Sequence, residues 1–171
     1  ALKDLMAGLG SPNLDCRQDG AKLDAACRAG YLFNTTIAGI EQADAVLIVG
    51  ANPRWEAAMV NARLRKRFLQ NGLKVGLIGQ QVDLTYSYDY LGAGPESLTE
   101  IAEGKGSFAA VLEKAQKPMI IVGMGALARA DGAAVLSQAM KLAEAAGAGL
   151  LVLHTAASRV GAMDVGATAE G

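Results

Sequence analysis

The sequence has little that could carry metal or nucleophilic chemistry. It holds one histidine, His154, and two cysteines, Cys16 and Cys27. Their spacing fits neither a zinc knuckle nor an iron–sulfur run. No metal site is therefore expected, and the thiols read as reduced and mostly buried. A lone histidine leaves no Ser/His/Asp or Cys/His set to assemble. Asp83, Asp89 and Glu96 show no acid/base spacing, so no catalytic residue is expected. Positive charge is not in surplus. The formal net charge of −1 argues against nonspecific nucleic-acid binding, which needs a cationic surface. No apolar run approaches the roughly 20 residues that cross a bilayer, so no direct membrane insertion is expected. Residues 1–10 lack the uninterrupted apolar core of a signal peptide. Aromatic residues make up only 5%, so the core must be aliphatic and small.

What is present is a chain 51% hydrophobic with 21 glycines, a balance suited to helices packed closely on strands. Two segments share one layout of strand, glycine turn, helix, glycine stop and strand. The first runs from VLIVG (46–50) through a helix near 55–71 and Gly72 to KVGLIG (74–79). The second runs from MIIVGMG (119–125) through a helix near 131–146 and Gly147 to LLVLH (150–154). Short continuous apolar strands of this kind belong to sheets covered on both faces. The fold class is α/β, with Rossmann-like parallel sheet units flanked by helices. Two lobes are expected, 1–95 and 96–171, or one continuous α/β domain, with any boundary inside 80–118. The chain starts without Met and ends at ATAEG, and is expected to be a piece of a longer protein.

The first helix has an apolar stripe at Ala57, Val60, Leu64 and Phe68, and a basic face at Arg63, Arg65, Lys66 and Arg67. That face reads as solvated, or as an edge that meets an acidic partner. In the second helix Asp131 is placed to cap and Gly147 to stop. Elsewhere, helices are expected at Leu2–Leu9, Asp24–Ala29, Thr35–Ala43 and Phe108–Ala115, and a short strand at Leu14–Cys16. Ser97 and Glu100 match a capping box that would start a helix at about Leu98. Tyr86, Tyr88 and Tyr90 alternate with polar residues as an extended strip with one aromatic face.

Two glycine turns are candidate phosphate sites. In Gly50-Ala51-Asn52-Pro53-Arg54, Asn52 stands where a dinucleotide fingerprint has its second glycine. Arg54 could pair with an anion there; the other reading is a tight βα turn with an Asn-Pro helix start. Gly123-Met124-Gly125-Ala126-Leu127-Ala128 does match G-x-G-x-x-A. The acid expected after the next strand is replaced by His154 and Thr155, so a packing turn is the alternative. Asn52, Arg54, Gly123 and Gly125 are the candidate cofactor-binding residues.

The run LFNTTIAGIEQADAVLIVGANPRWEAAMVNARLRKRFLQNGLKVGLIG (32–79), with VDLTYSYDYLG (82–92) and KPMIIVGMGALARADGAA (117–134), resembles the large iron–sulfur subunit of NADH:quinone oxidoreductase, respiratory complex I. The resemblance covers nearly the whole chain. More widely, Ala43, Asp44, Gly50, Asn52 and Pro53 are similar to a motif of the molybdopterin oxidoreductases, where it opens a unit holding a molybdopterin guanine dinucleotide. In those enzymes an Asp-Pro-Arg-like turn reads the nucleotide; here Gly79-Gln80-Gln81 stands instead.

The resemblance implies part of an oxidoreductase of the electron-transport chain, in its C-terminal molybdopterin-oxidoreductase-like region. It implies other peripheral-arm subunits of complex I as partners. The location implied is the cytoplasmic side of a bacterial inner membrane, or the matrix side if mitochondrial, with an alphaproteobacterial source. The 2Fe-2S and 4Fe-4S clusters of the family would be bound by residues outside this chain, so no cofactor is expected here. The role implied is a structural scaffold without chemistry of its own. The alternative is a working domain that binds molybdopterin guanine dinucleotide or another nucleotide.

Overall fold

The computed structural model describes residues 1–70 and 72–169. In chain order the elements are α1 (Leu2–Gly8), β1 (Ala45–Val49), α2 (Pro53–Glu56), α3 (Ala58–Leu69), β2 (Lys74–Ile78), β3 (Asp89–Gly92) and α4 (Pro95–Ala102). Then come α5 (Ser107–Lys114), β4 (Pro118–Gly123), α6 (Met124–Leu127), α7 (Gly132–Ala146), β5 (Gly149–Leu153) and α8 (Arg159–Asp164). Two 3₁₀ turns, Arg28–Gly30 and Ala38–Gln42, precede β1.

The five strands form one sheet in the order β3-β2-β1-β4-β5, and every pairing is parallel. The chain moves outward from β1 to β2 and β3, then returns to place β4 on the other side of β1. β1 and β4 are therefore central, and every residue of both is buried. The two βαβ units meet there, with Ala45 opposite Pro118 and Val49 opposite Val122. Asp44 fixes this register: its carboxylate accepts from the backbone N–H of Gln116 at 2.6 Å and Lys117 at 2.9 Å. Burial alone would raise the Asp44 pKa, but those backbone donors hold it below its ordinary value.

Strand residues alternate between two cores because successive side chains point to opposite faces. Ala45, Leu47, Val49, Ile120 and Val122 join Leu98, Phe108, Leu112, Val135 and Ala139 on the face covered by α4, α5 and α7. Val46, Ile48, Met119 and Ile121 join Ile40, Val60, Leu64 and Leu84 on the face covered by α3. With few aromatics available, small residues let large ones in. A Cβ on Gly76 would come within 2.9 Å of the Phe108 ring. The β5 edge is covered by the preceding chain: Asn34 N–H donates to Leu150, Val152 N–H donates to Leu32, and Phe33 bridges Leu151.

Several local expectations need correction. The first helix is two helices, broken at Ala57 (φ −149°, ψ 65°), which caps α3. Both pieces keep helical spacing, so periodicity could not reveal the break. Its cap at the far end is Gln70, ahead of Gly72; residue 71 lies outside the described residues. α4 begins at Pro95 after Gly94, not at Leu98, and has no side-chain cap bond. Proline pre-set for the first helical turn starts it earlier than the Ser97/Glu100 box would. Asp131 sits at the cap of α7, but its carboxylate pairs with Arg129 instead. Gly147 does end α7, in the left-handed region at φ +61°. Leu14–Cys16 is not a strand: Cys16 N–H donates to Ala167, away from the sheet.

Asp24–Ala29 forms turns and the start of a 3₁₀ turn rather than an α-helix, and the helix expected over Thr35–Ala43 is the 3₁₀ turn Ala38–Gln42. Only Tyr90 of the tyrosine strip lies in a strand, β3. Tyr86 donates to Asn61, which ties the loop to α3, and Tyr88 donates to the Val82 carbonyl within the loop. The basic face is largely used within the chain: Arg63 and Lys66 meet Glu41, and Arg67 donates to the Ala43 carbonyl.

Ile121 is wholly buried in the interior strand β4, whereas Met59 is exposed. Ile121→Ala is expected to cost about 2–5 kcal/mol in urea unfolding. Met59→Ala is expected to stay within about 0.5 kcal/mol of the parent protein.

Candidate functional site

In open parallel sheets, ligands bind beyond the carboxyl ends of the strands, where the strand order reverses. Here that point lies beyond β1 and β4, where both glycine turns sit. They pack on each other. A Cβ on Gly123 would stand 2.5 Å from the Ala51 Cβ and 2.6 Å from the Gly50 carbonyl oxygen. One on Gly125 would stand 2.6 Å from the same oxygen, and one on Gly50 2.5 Å from the Ala126 backbone nitrogen. Gly50 also has φ +58°, which favours glycine. These glycines thus allow one backbone to touch the other.

Beside this contact, toward β2, lies a cavity of about 350 Å³. Asn52, Glu56, Gly79, Gln80, Gly125 and Arg129 are among its lining residues. Of the four candidates from the sequence, the structure places Asn52 and Gly125 on this cavity. Gly123 lies behind it, against Ala51. Arg54 is not among the lining residues; it forms an ion pair with Asp83, donates to the Asp83 carbonyl at 3.2 Å and stacks 5.9 Å over Trp55. The Thr85 backbone N–H and Arg54 together hold the Asp83 pKa below its ordinary value.

Sequence reasoning missed Glu56. Its carboxylate accepts the Asn52 backbone N–H at 2.7 Å, one of the donors that the turn could offer to an anion. The signal was an acid four residues after Asn52, one turn along a helix. The Asn52 Oδ1 is buried without a partner. Arg129 donates to Asp131 through both Nε and Nη2, at 2.7 and 2.8 Å.

A second polar cluster lies beyond β5. Arg159 is 3% exposed, with its guanidinium on Asp19 at 2.8 Å and on the Met124 sulfur at 3.0 Å. It ties the segment around Asp19 to the end of β4. His154 Nε2 lies 2.7 Å from the Tyr31 carbonyl oxygen. A carbonyl only accepts, so Nε2 carries the proton and Nδ1 is left without a partner. Burial lowers the His154 pKa, and the nearby Arg159 charge adds to that. Among the described residues no group of three or more His, Cys, Asp or Glu side chains is arranged to hold a metal ion. No helix among them is long and apolar enough to cross a membrane.

Comparison with known proteins adds to this geometry. The family model for molybdopterin oxidoreductase matches residues 1–171. The chain belongs to the molybdopterin oxidoreductase family. This member of the family is 43% identical over 176 residues to the mitochondrial NADH dehydrogenase [ubiquinone] iron-sulfur protein 1 of Solanum tuberosum, covering 99% of this chain. It is 40% identical to the mitochondrial NADH-ubiquinone oxidoreductase 78 kDa subunit of Neurospora crassa, over 98% of this chain. It is 43% identical to a subunit of the NADH-quinone oxidoreductase of Rickettsia conorii, over 96% of this chain. The chain spans only 24%, 24% and 26% of the lengths of these relatives.

Molybdopterin guanine dinucleotide, the form held by the motif that Ala43, Asp44, Gly50, Asn52 and Pro53 are similar to, carries a diphosphate. The side chains present do not fit it: Glu56 puts an anion on the Asn52 amide, and the nearest arginines are paired with Asp83 and Asp131.

Two outcomes follow. Gly123→Ala is expected to destabilise by about 1–3 kcal/mol through overpacking, read as a lower urea midpoint. For His154, the ordinary value near 6.5 is lowered by folding, so the unfolded chain binds the extra proton first. Its contribution is complete above about pH 6.5 and is lost as pH falls toward the folded value. Denaturation at pH 7.5 and 5.5 should show this loss, and His154→Gln should reduce it.

Proposed function

We propose that this chain is a scaffold element of an NADH:quinone oxidoreductase, in the molybdopterin-oxidoreductase-like region of its large iron–sulfur subunit. It packs against the electron-carrying parts of the peripheral arm and contributes no chemistry of its own. The clusters of that subunit are held by residues outside this chain. Its partners are other peripheral-arm subunits, on the cytoplasmic face of a bacterial inner membrane or the matrix face in mitochondria. The observation that carries the reading is the Glu56 carboxylate on the Asn52 amide: an anion of the protein already stands on the turn that would grip a cofactor phosphate. Similarity to three NADH dehydrogenase subunits supports the assignment to that enzyme.

A second reading, a working nucleotide-binding domain, is favoured by the cavity beside Asn52 and Gly125 and by the unpartnered Asn52 Oδ1. Thermal unfolding with and without guanine and nicotinamide nucleotides separates the two. A ligand at a hundred times its Kd stabilises the native state by about 2.7 kcal/mol. For a scaffold, the expected result is an unmoved Tm at millimolar nucleotide, with no stoichiometric iron or molybdenum by elemental analysis. A nucleotide-dependent rise in Tm supports the second reading instead.

A further inference from the structure

The cavity at the ends of β1 and β2 has the size of a small-molecule site, and its polar groups have an unusual arrangement. Glu56 lines it and accepts the Asn52 N–H at 2.7 Å. The cation lining the cavity, Arg129, is held by both oxygens of Asp131. Arg54, near Asn52 in the chain, is held by Asp83. Glu56 lacks a matching free cation among these groups, so the local charge is negative.

A diphosphate entering this cavity would meet the Glu56 carboxylate on the Asn52 amide. To use that amide it would have to displace the carboxylate, and at the turn's other donors it would still lie beside it. Like charges a few ångströms apart repel appreciably even near a protein surface. We propose that Glu56 is the residue that denies this crevice to diphosphate-bearing ligands. It acts as a built-in anion on the Asn52 turn. This rests on the scaffold reading above and gives it a mechanism: loss of cofactor binding resides in one side chain rather than in collapse of the cavity. The cavity itself persists, with Gly79, Gly94 and Gly125 among its lining residues.

Glu56→Gln keeps the side-chain shape and an oxygen that can accept the Asn52 N–H, while removing the charge. Glu113→Gln makes the same change in net charge at an exposed site on α5. Calorimetric titration with guanosine diphosphate and with inorganic pyrophosphate compares these variants with the parent chain. Circular dichroism checks folding, and Glu56→Ala serves if the glutamine variant does not fold. The expected result is binding at least about tenfold tighter in the Glu56 variant than in the parent and the Glu113 control, the lower range for removing one adjacent like charge. If parent, Glu113 and folded Glu56 variants are all silent at millimolar ligand, this inference is overturned and the scaffold reading stands. If the parent chain binds as tightly as the Glu56 variant, both fall.

Discussion

The direct contact between the turn after β1 and the turn after β4 is the constraint on which the rest of this structure depends. Parallel pairing of the two strands brings their carboxyl ends side by side. The chain must leave both strands there without collision. It can do so because Gly50, Gly123 and Gly125 lack side chains where the backbones meet. With the turns in contact, β1 and β4 stay in register along their length, and Asp44 pins the other end. The helices then bury both faces of the sheet. The same contact sets one wall of the cavity that lies beside it toward β2.

Charge follows the same inward logic. The α3 basic face is used on Glu41 and the Ala43 carbonyl, Arg54 on Asp83, Arg129 on Asp131 and Arg159 on Asp19. Exposed pairs among these add little stability each. Their consequence is chemical: the arginines near the sheet's carboxyl edge are already committed. Arg159 differs, because a buried guanidinium needs its partner; breaking the pair would leave an unpaired charge inside the protein. Trp55 lies outside these pairings, 80% exposed beneath Arg54.

Much of the fold was legible because it rests on short-range signals. Continuous apolar runs ending in or flanked by glycine marked four of the strands, and the apolar stripe of α7 with Gly147 marked its extent. β3 was not legible as a strand. Its four residues follow a tyrosine-rich loop, and only pairing with β2 defines it. The Ala57 break was hidden because both helices keep one periodicity. Around the candidate site, Asn52 and Gly125 could be named from the motif, whereas the diversion of Arg54 depends on Asp83, 29 residues away.

The α/β class and the two strand–turn–helix units are written in local spacing and residue type, so the chain's own order of residues was enough to specify them; the family showed through the resemblance of particular runs to known sequences. What the glycine turns do was left to tertiary contact. A glycine admits close approach without saying of what, whether a phosphate or another stretch of backbone. That depends on which strands become neighbours and on which carboxylate reaches a free amide first. Here the neighbour is the other turn, and the carboxylate is Glu56.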